Sequence, residues 1–225
     1  MAIKAVFFDM DGVLYDSMPI HAKSWVATFA AEGISFEPKD AYINEGRTGS
    51  STINTVYNRL FGHDATDEDV KRIYGRKTQI VDTFPPAPKM KGMAELITWL
   101  RNNNIQTFVV TGSRQPSLVN KLGHDFGFDV DHIISGADVK RGKPDPEPYL
   151  IAVERAQVSA ADCVVVENAP LGIRASKAAN IFTVAVNTGD LEDSYLLNEG
   201  ADILLGSTEE LSEAWRNGEL KIENS

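Results

Sequence analysis

The sequence predicts an α/β protein, a doubly wound parallel sheet interrupted near its beginning by a helical insert. Short β-rich apolar runs recur along the chain with helical patterns between them, the alternation that winds a parallel sheet between two layers of helices. Between positions 17 and 84 the alternation lapses, and that stretch holds several helical patterns but no good strand run. Candidate polar residues stand just past the ends of three of the runs, where ligands of such sheets collect.

The elements follow in order. Residues 3–8 (Ile-Lys-Ala-Val-Phe-Phe), 105–110 (Ile-Gln-Thr-Phe-Val-Val), 163–166 (Cys-Val-Val-Val) and 181–186 (Ile-Phe-Thr-Val-Ala-Val) read as buried parallel strands, because each is short and nearly continuously apolar. Helical patterns lie at about 93–103, 115–124, 146–157 and 170–179, and 202–205 with 208–216 reads as a last strand and helix. Within the insert, helices are predicted near 18–32, 38–45, 50–61 and 67–81. The insert begins at the short Tyr15-Asp16-Ser17 and ends in the stiff Pro85-Pro86-Ala87-Pro88. It is therefore expected to move as a body on two connections. The predicted organisation is a discontinuous core of residues 1–16 and 85–225 and a helical cap of residues 17–84. The polar stretch from Glu219 to Ser225 is expected to fray.

Composition narrows the function. A chain of 225 residues with 43% hydrophobic content can bury a sizeable core. A formal charge of −10 argues against a general nucleic-acid binder, whose affinity comes from Lys and Arg on phosphates. Cys163 is the single cysteine, so no internal disulfide can form, which suits the reducing cytoplasm. Only four consecutive apolar residues precede Asp9, too few for a signal peptide or a membrane span. With no heptad pattern, a monomer is expected.

The chemistry is concentrated at four places. The run Ala5-Val6-Phe7-Phe8 delivers Asp9 and Asp11 into a Gly-bearing turn. Two carboxylates so close raise each other's pKa unless a cation or proton intervenes, so a divalent metal and a phosphate are natural guests; an Asp-Gly hairpin is the alternative. Thr111-Gly112-Ser113 follows a strand and can turn a hydroxyl and amides toward an anion, or can cap a helix. Lys143 lies in the Pro-rich Arg141-Gly142-Lys143-Pro144-Asp145-Pro146, either restrained toward a site or simply solvated. Glu167-Asn168 closes a strand before Pro170, offering oxygen ligands to hard Mg²⁺, with Asn168 as a helix N-cap the other reading. In the insert, Glu45 and Arg47 share a Gly-flanked loop and read either as substrate contacts or as a surface ion pair. His21 and Trp25 are spaced to share one face of a helix, a packing pair close to the hinge.

Taken together, Asp9-Met10-Asp11-Gly12, Gly46-Arg47-Thr48-Gly49, Val110-Thr111-Gly112-Ser113 and Glu167-Asn168-Ala169-Pro170 resemble the haloacid dehalogenase superfamily and its β-phosphoglucomutase-like branch. The resemblance covers most of the chain and implies a Rossmann-like core under a closing cap. It implies Asp9 as nucleophile, Asp11 as acid/base, Thr111 with Gly112 and Ser113 as phosphate binders, and Lys143 as the neutralising cation. Mg²⁺ would be held by Asp9, the backbone carbonyl of Asp11, and Asn168 with Glu167. The chain departs from the commoner pattern, which has Asp where this sequence has Asn168. An amide oxygen brings no charge, so more of the metal's binding falls to Glu167 or to substrate oxygens.

The Glu-Gly-Arg-Thr-Gly loop combined with Glu-Asn-Ala-Pro looks most like the bacterial inorganic pyrophosphatases of this branch, in which Glu45 would reach the metal zone and crowd out larger esters. The expected substrate is therefore a small phosphate compound, pyrophosphate first. His21, Trp25, Arg47 and Lys77 also resemble cap positions of a β-phosphoglucomutase, although Thr111 replaces the serine common in true mutases. A sugar-phosphate phosphatase and a catalytically silent phosphate-binding protein are the remaining alternatives. Dehalogenation is disfavoured by Asp11.

Overall fold

Strands Ala5–Phe8 (β1), Gln106–Val110 (β2), Ile133–Ile134 (β3), Cys163–Glu167 (β4), Phe182–Val186 (β5) and Ile203–Leu205 (β6) form a six-stranded parallel sheet in a computed structural model that describes residues 3–114 and 117–220. The order is β3-β2-β1-β4-β5-β6, with Phe7 of β1 opposite Phe108 of β2 on one side and Val165 of β4 on the other. The chain travels outward from β1 to β3 and then returns to place β4 beside β1. That reversal makes the carboxyl ends of β1 and β4 the switch point at which a crevice opens.

Alternation along the strands assigns each residue to a layer. Val6, Phe8, Val109, Val164 and Val166 pack beneath Met93–Asn102 (α5), Ser117–Phe126 (α6) and Thr208–Arg216 (α10). Ala5, Phe7, Phe108 and Val165 face Glu147–Ala156 (α7) and Pro170–Ala178 (α8). Helix α5 shows why these segments are helical: Met93, Leu96, Ile97 and Leu100 recur at i, i+3, i+4 and i+7 and all are buried.

The insert forms Met18–Ala30 (α1), Pro38–Ile43 (α2), Gly49–Phe61 (α3) and Asp67–Val81 (α4). Thr48 and Thr66 cap α3 and α4 by accepting the amides of Ser51 and Asp69. The insert has its own apolar cluster, including Trp25, Phe29, Phe36, Ile53 and Ile73, with the rings of Phe29 and Phe36 stacked at 4.8 Å. Leu191 of the core joins that cluster, and Tyr42 of α2 packs against the backbone of Gly189. The two connections are hydrogen-bonded to each other, Asp16 N to Pro88 O at 2.9 Å and Met90 N to Leu14 O at 2.9 Å.

Strand β3 and the short helix Asp193–Leu197 (α9) have no counterpart in the sequence reading. Two residues at a sheet edge are too few to establish a period, and one and a half turns of helix carry no stripe. The helix expected over 115–124 is seen from Ser117 onward. Positions 115–116, and 221–225 of the end expected to fray, lie outside the described residues.

Candidate active site

Strand β1 ends by donating Asp9 N to Val166 O at 3.0 Å, which carries the backbone of Asp9 to the carboxyl edge of β4. The chain then turns at Gly12, whose φ of +81° lies in the left-handed region. A Cβ on Gly12 would stand 1.9 Å from Asn168 Nδ2, so only glycine lets the β1 loop and the β4 loop meet.

Lys143 is buried between two acids. Its Nζ donates to Asp9 Oδ1 at 2.5 Å, Glu167 Oε1 at 2.6 Å and Val110 O at 3.0 Å, using all three ammonium protons. Burial alone would lower the pKa of this ammonium, but the charges of Asp9 and Glu167 outweigh it and hold it well above the ordinary lysine value. The solvated-lysine reading therefore fails.

Asp9 is 3% exposed. Burial above all pushes its carboxyl up to about 8, with Glu167 and Asp11 adding to the rise and Lys143 opposing it. Its Oδ2 and the Oδ1 of Asn168 are buried acceptors without a hydrogen-bond partner among the described residues. Two orphaned oxygens beside an over-rich set of carboxylates are what a hard cation satisfies. Asn168 does not cap α8: the N-cap position is Ala169, and no side chain bonds there.

Glu167 departs from the ligand role that the resemblance implies. Its Oε1 accepts from Lys143 and from the Tyr149 hydroxyl at 2.7 Å, and its Oε2 accepts the amides of Asn168 and Ala169 at 3.1 and 3.3 Å. With both oxygens occupied by protein donors, Glu167 anchors the lysine instead of presenting a free oxygen. Among the described residues no group of three or more His, Cys, Asp and Glu side chains converges on one metal position. The oxygens left are one carboxylate, one amide and the Asp11 carbonyl. Mg²⁺ is commonly held by one or two carboxylates completed by water and substrate phosphate, so the set fits.

Asp11 looks toward the insert. Its Oδ1 accepts from Ser17 Oγ at 2.5 Å and meets His21 Nε2 at 3.1 Å. His21 Nδ1 is 2.8 Å from Lys77 Nζ. An ammonium can only donate, so Nδ1 accepts and Nε2–H donates to Asp11. Burial pushes the Asp11 carboxyl up, but His21, Ser17 and Lys77 together outweigh it and hold the group at about 2. Lys77 is buried over the Trp25 ring, 5.5 Å from its centroid, and that burial lowers its pKa.

Thr111 is buried just behind the cavity wall, and its Oγ1 accepts the amide of Ser113 at 3.1 Å. Gly112 and Ser113, not Thr111, reach the cavity. A side chain at Gly112 would come within 2.9 Å of Gly46 O, so the loop between α2 and α3 rests directly on the core. Arg47 donates to Asn44 Oδ1 and Ser51 Oγ, at 3.2 and 3.3 Å, and forms no pair with Glu45. The Glu45 carboxyl accepts no hydrogen bond from the described residues. Burial, then Asp11, Asp9 and Glu167, push it well above the usual carboxylate range.

These residues enclose a cavity of ≈ 200 Å³ lined by Asp9, Asp11, His21, Glu45, Arg47, Lys77, Gly112 and Ser113. That is below the roughly 300–1,000 Å³ usual for small-molecule sites. Sequence reasoning missed Ser17, whose position before α1 marks it as an N-cap although its hydroxyl serves Asp11. It also missed Tyr149, legible only as a polar ring within the apolar Tyr149, Ala152, Ala156 stripe of α7.

A parallel sheet with paired aspartates at its switch point, a buried lysine opposite them and a helical insert closed above them defines a phosphate-handling hydrolase architecture. Residues 3–180 match the haloacid dehalogenase-like hydrolases, and the chain belongs to that family. Within it the chain falls in the β-phosphoglucomutase-like branch. It is 31% identical to the β-phosphoglucomutase of Bacillus subtilis (strain 168) over 219 residues, covering 93% of this chain and 92% of the relative. It is 29% identical to hexitol phosphatase A of Escherichia coli (strain K12), with 94% of each covered. A solved Bacteroides vulgatus chain described as a candidate β-phosphoglucomutase superposes with a TM-score of 0.93 at 45% identity, covering 98% of this chain and 91% of that one. No described helix is long and apolar enough to cross a membrane.

Proposed function

We propose that this chain is a Mg²⁺-dependent phosphohydrolase that works through an aspartyl-phosphate on Asp9, with inorganic pyrophosphate as its preferred substrate. The observation that carries the substrate reading is Glu45. A carboxyl without a hydrogen-bond partner among the described residues faces Asp9 and Asp11 from the cap side of a ≈ 200 Å³ cavity. It narrows the space for an organic leaving group, and its ionisation, which burial and the neighbouring acids oppose, is favoured by a cation, which a pyrophosphate accompanied by Mg²⁺ brings with it.

Asp9, Asn168 and the Asp11 carbonyl would hold Mg²⁺. When bound, the metal offsets the negative charge of the transferred phosphoryl group. Asp9 attacks phosphorus as the bond to the leaving oxygen breaks, and Lys143 keeps the attacking carboxylate oriented and offsets charge on the equatorial oxygens. Gly112 supplies an amide at the phosphate position, Ser113 lines it, and Thr111, whose hydroxyl accepts the Ser113 amide, shapes that turn from behind. Asp11, held on Oδ1 by Ser17 and His21 and lowered to about 2, has Oδ2 left to take a proton from the water that cleaves the acyl-phosphate, and it can protonate a leaving oxygen only after first taking up a proton. A phosphate leaving group needs less of this help than a sugar alkoxide. Residues 17–84 act as the cap, with Arg47 and Lys77 meeting the distal phosphate.

A second reading, a hexose-phosphate phosphatase or mutase, is favoured by the sugar-phosphate chemistry named for the relatives. One panel separates them: Mg²⁺ with pyrophosphate, with hexose 6-phosphates, and with β-glucose 1-phosphate plus a trace of the bisphosphate. Pyrophosphate is expected to be hydrolysed fastest; faster isomerisation of β-glucose 1-phosphate than any phosphate release would reverse the assignment. Glu45→Ala is expected to lower kcat/KM for pyrophosphate by about tenfold, the scale of one charged contact, while sparing hexose phosphates. Unchanged pyrophosphate kinetics would remove Glu45 from its role.

A further inference from the structure

Tyr149 is a fully buried, titratable ring that the reaction above does not use. It sits in the first turn of α7 with its hydroxyl donating to Glu167 Oε1 at 2.7 Å. The same oxygen accepts from Lys143 Nζ at 2.6 Å, and the ammonium lies 5.2 Å from the centroid of the Tyr149 ring. On the other side, a Cβ at Gly172 would fall 1.8 Å from Glu167 Oε1, so α8 presses its backbone against the carboxylate. The Glu167 carboxylate is thereby held from four directions, by the tyrosine, the lysine, two amides and the glycine.

We infer that Tyr149 is a positioning residue for the phosphate-neutralising lysine. By sharing Glu167 Oε1 it weakens that acid's hold on Lys143, leaving the ammonium charge directed at Asp9 and the incoming phosphate. Without the hydroxyl, Lys143 is the only side chain among the described residues left to satisfy Oε1. The ammonium is then drawn toward Glu167, and its charge is spent there.

The inference rests on the phosphohydrolase reading, and its test is a double-mutant cycle on Tyr149→Phe and Lys143→Gln with Mg²⁺ present. It is read both by kcat and KM for pyrophosphate and p-nitrophenyl phosphate and by the calorimetric Kd for orthovanadate. Tyr149→Phe is expected to lower kcat and weaken orthovanadate binding by about tenfold in the parent, the scale of one hydrogen bond to a charged group. In the Lys143→Gln background the loss is expected to shrink to less than about twofold, because acting through the lysine makes the two changes non-additive.

Equal factors in both backgrounds would mean that Tyr149 only supports packing, and would overturn the proposal. If Lys143→Gln does not fold, Gly172→Ala takes its place. It displaces the same carboxylate, so its loss combined with that of Tyr149→Phe should fall short of the product of the single losses, and a full product overturns the proposal. A parent that binds orthovanadate but hydrolyses neither compound removes the hydrolase reading alone, since the cycle is still read on Kd. A parent that binds no orthovanadate removes both.

Discussion

Asp9→Asn is expected to abolish turnover while leaving the metal-free fold at least as stable as the parent. An amide cannot form the aspartyl-phosphate, so the rate should fall by on the order of 10³-fold or more. Stability should move the other way. One ammonium, that of Lys143, is shared between Asp9 and Glu167, and the substitution turns this two-to-one arrangement into a single buried pair. The sign follows from the Asp9 carboxyl, which is pushed up to about 8 in the folded protein. A raised acid weakens folding as pH climbs from the ordinary carboxyl value of about 4 to its folded value. The asparagine variant escapes that cost, so its advantage should widen across the same range. Urea unfolding without metal at pH 5 and pH 8 measures this. Mg²⁺ should then raise the melting temperature of the parent and not of the variant. A variant that keeps full Mg²⁺-dependent phosphatase activity would rule out covalent catalysis at this position.

Lys143→Ala is expected to damage both rate and fold. The change leaves the buried carboxylates of Asp9 and Glu167 facing one another with no cation, and breaking such a pair costs about 3–5 kcal/mol. Proton uptake by Asp9 relieves part of the cost below its raised pKa, so the deficit should be larger at pH 8 than at pH 6. Activity should fall by roughly 10²–10³-fold, as when a charge-stabilising donor is removed from a reacting group. Equal stability of variant and parent at pH 8 would show that the lysine does not hold the two acids together. The two variants together separate the lysine's roles, because Asp9→Asn leaves its pair with Glu167 in place whereas Lys143→Ala removes both contacts.

Much of the site was legible along the chain because parallel sheets deliver their loops to one edge. Asp9, Gly112, Ser113 and Asn168 each follow a strand that pattern alone identified, so their convergence followed from topology. Thr111 follows such a strand too, but its hydroxyl turned back to accept the Ser113 amide, and only its neighbours reached the cavity. Glu167 shows the limit most plainly. Its place at the end of β4 is evident in the sequence, but its oxygens are claimed by Lys143, Tyr149 and two amides, the first two brought near only in space and the amides by the turn that follows β4. The Asp11–His21–Lys77 series was equally hidden, since it joins β1 to two insert helices through a His whose helical spacing pointed to packing with Trp25.

What the sequence determined by itself was the layering: continuous apolar runs must be buried on both faces, and runs alternating with amphipathic helices leave a doubly wound sheet as the way to bury them. It also determined which residue types arrive at the sheet edge. Which of those side chains face the cavity, and which are consumed by one another, was decided only by tertiary structure. Hydrogen-bond valence is a local limit of a few donors and acceptors per group, and the partners that fill it lie as far apart in the chain as Asp9 and Lys143.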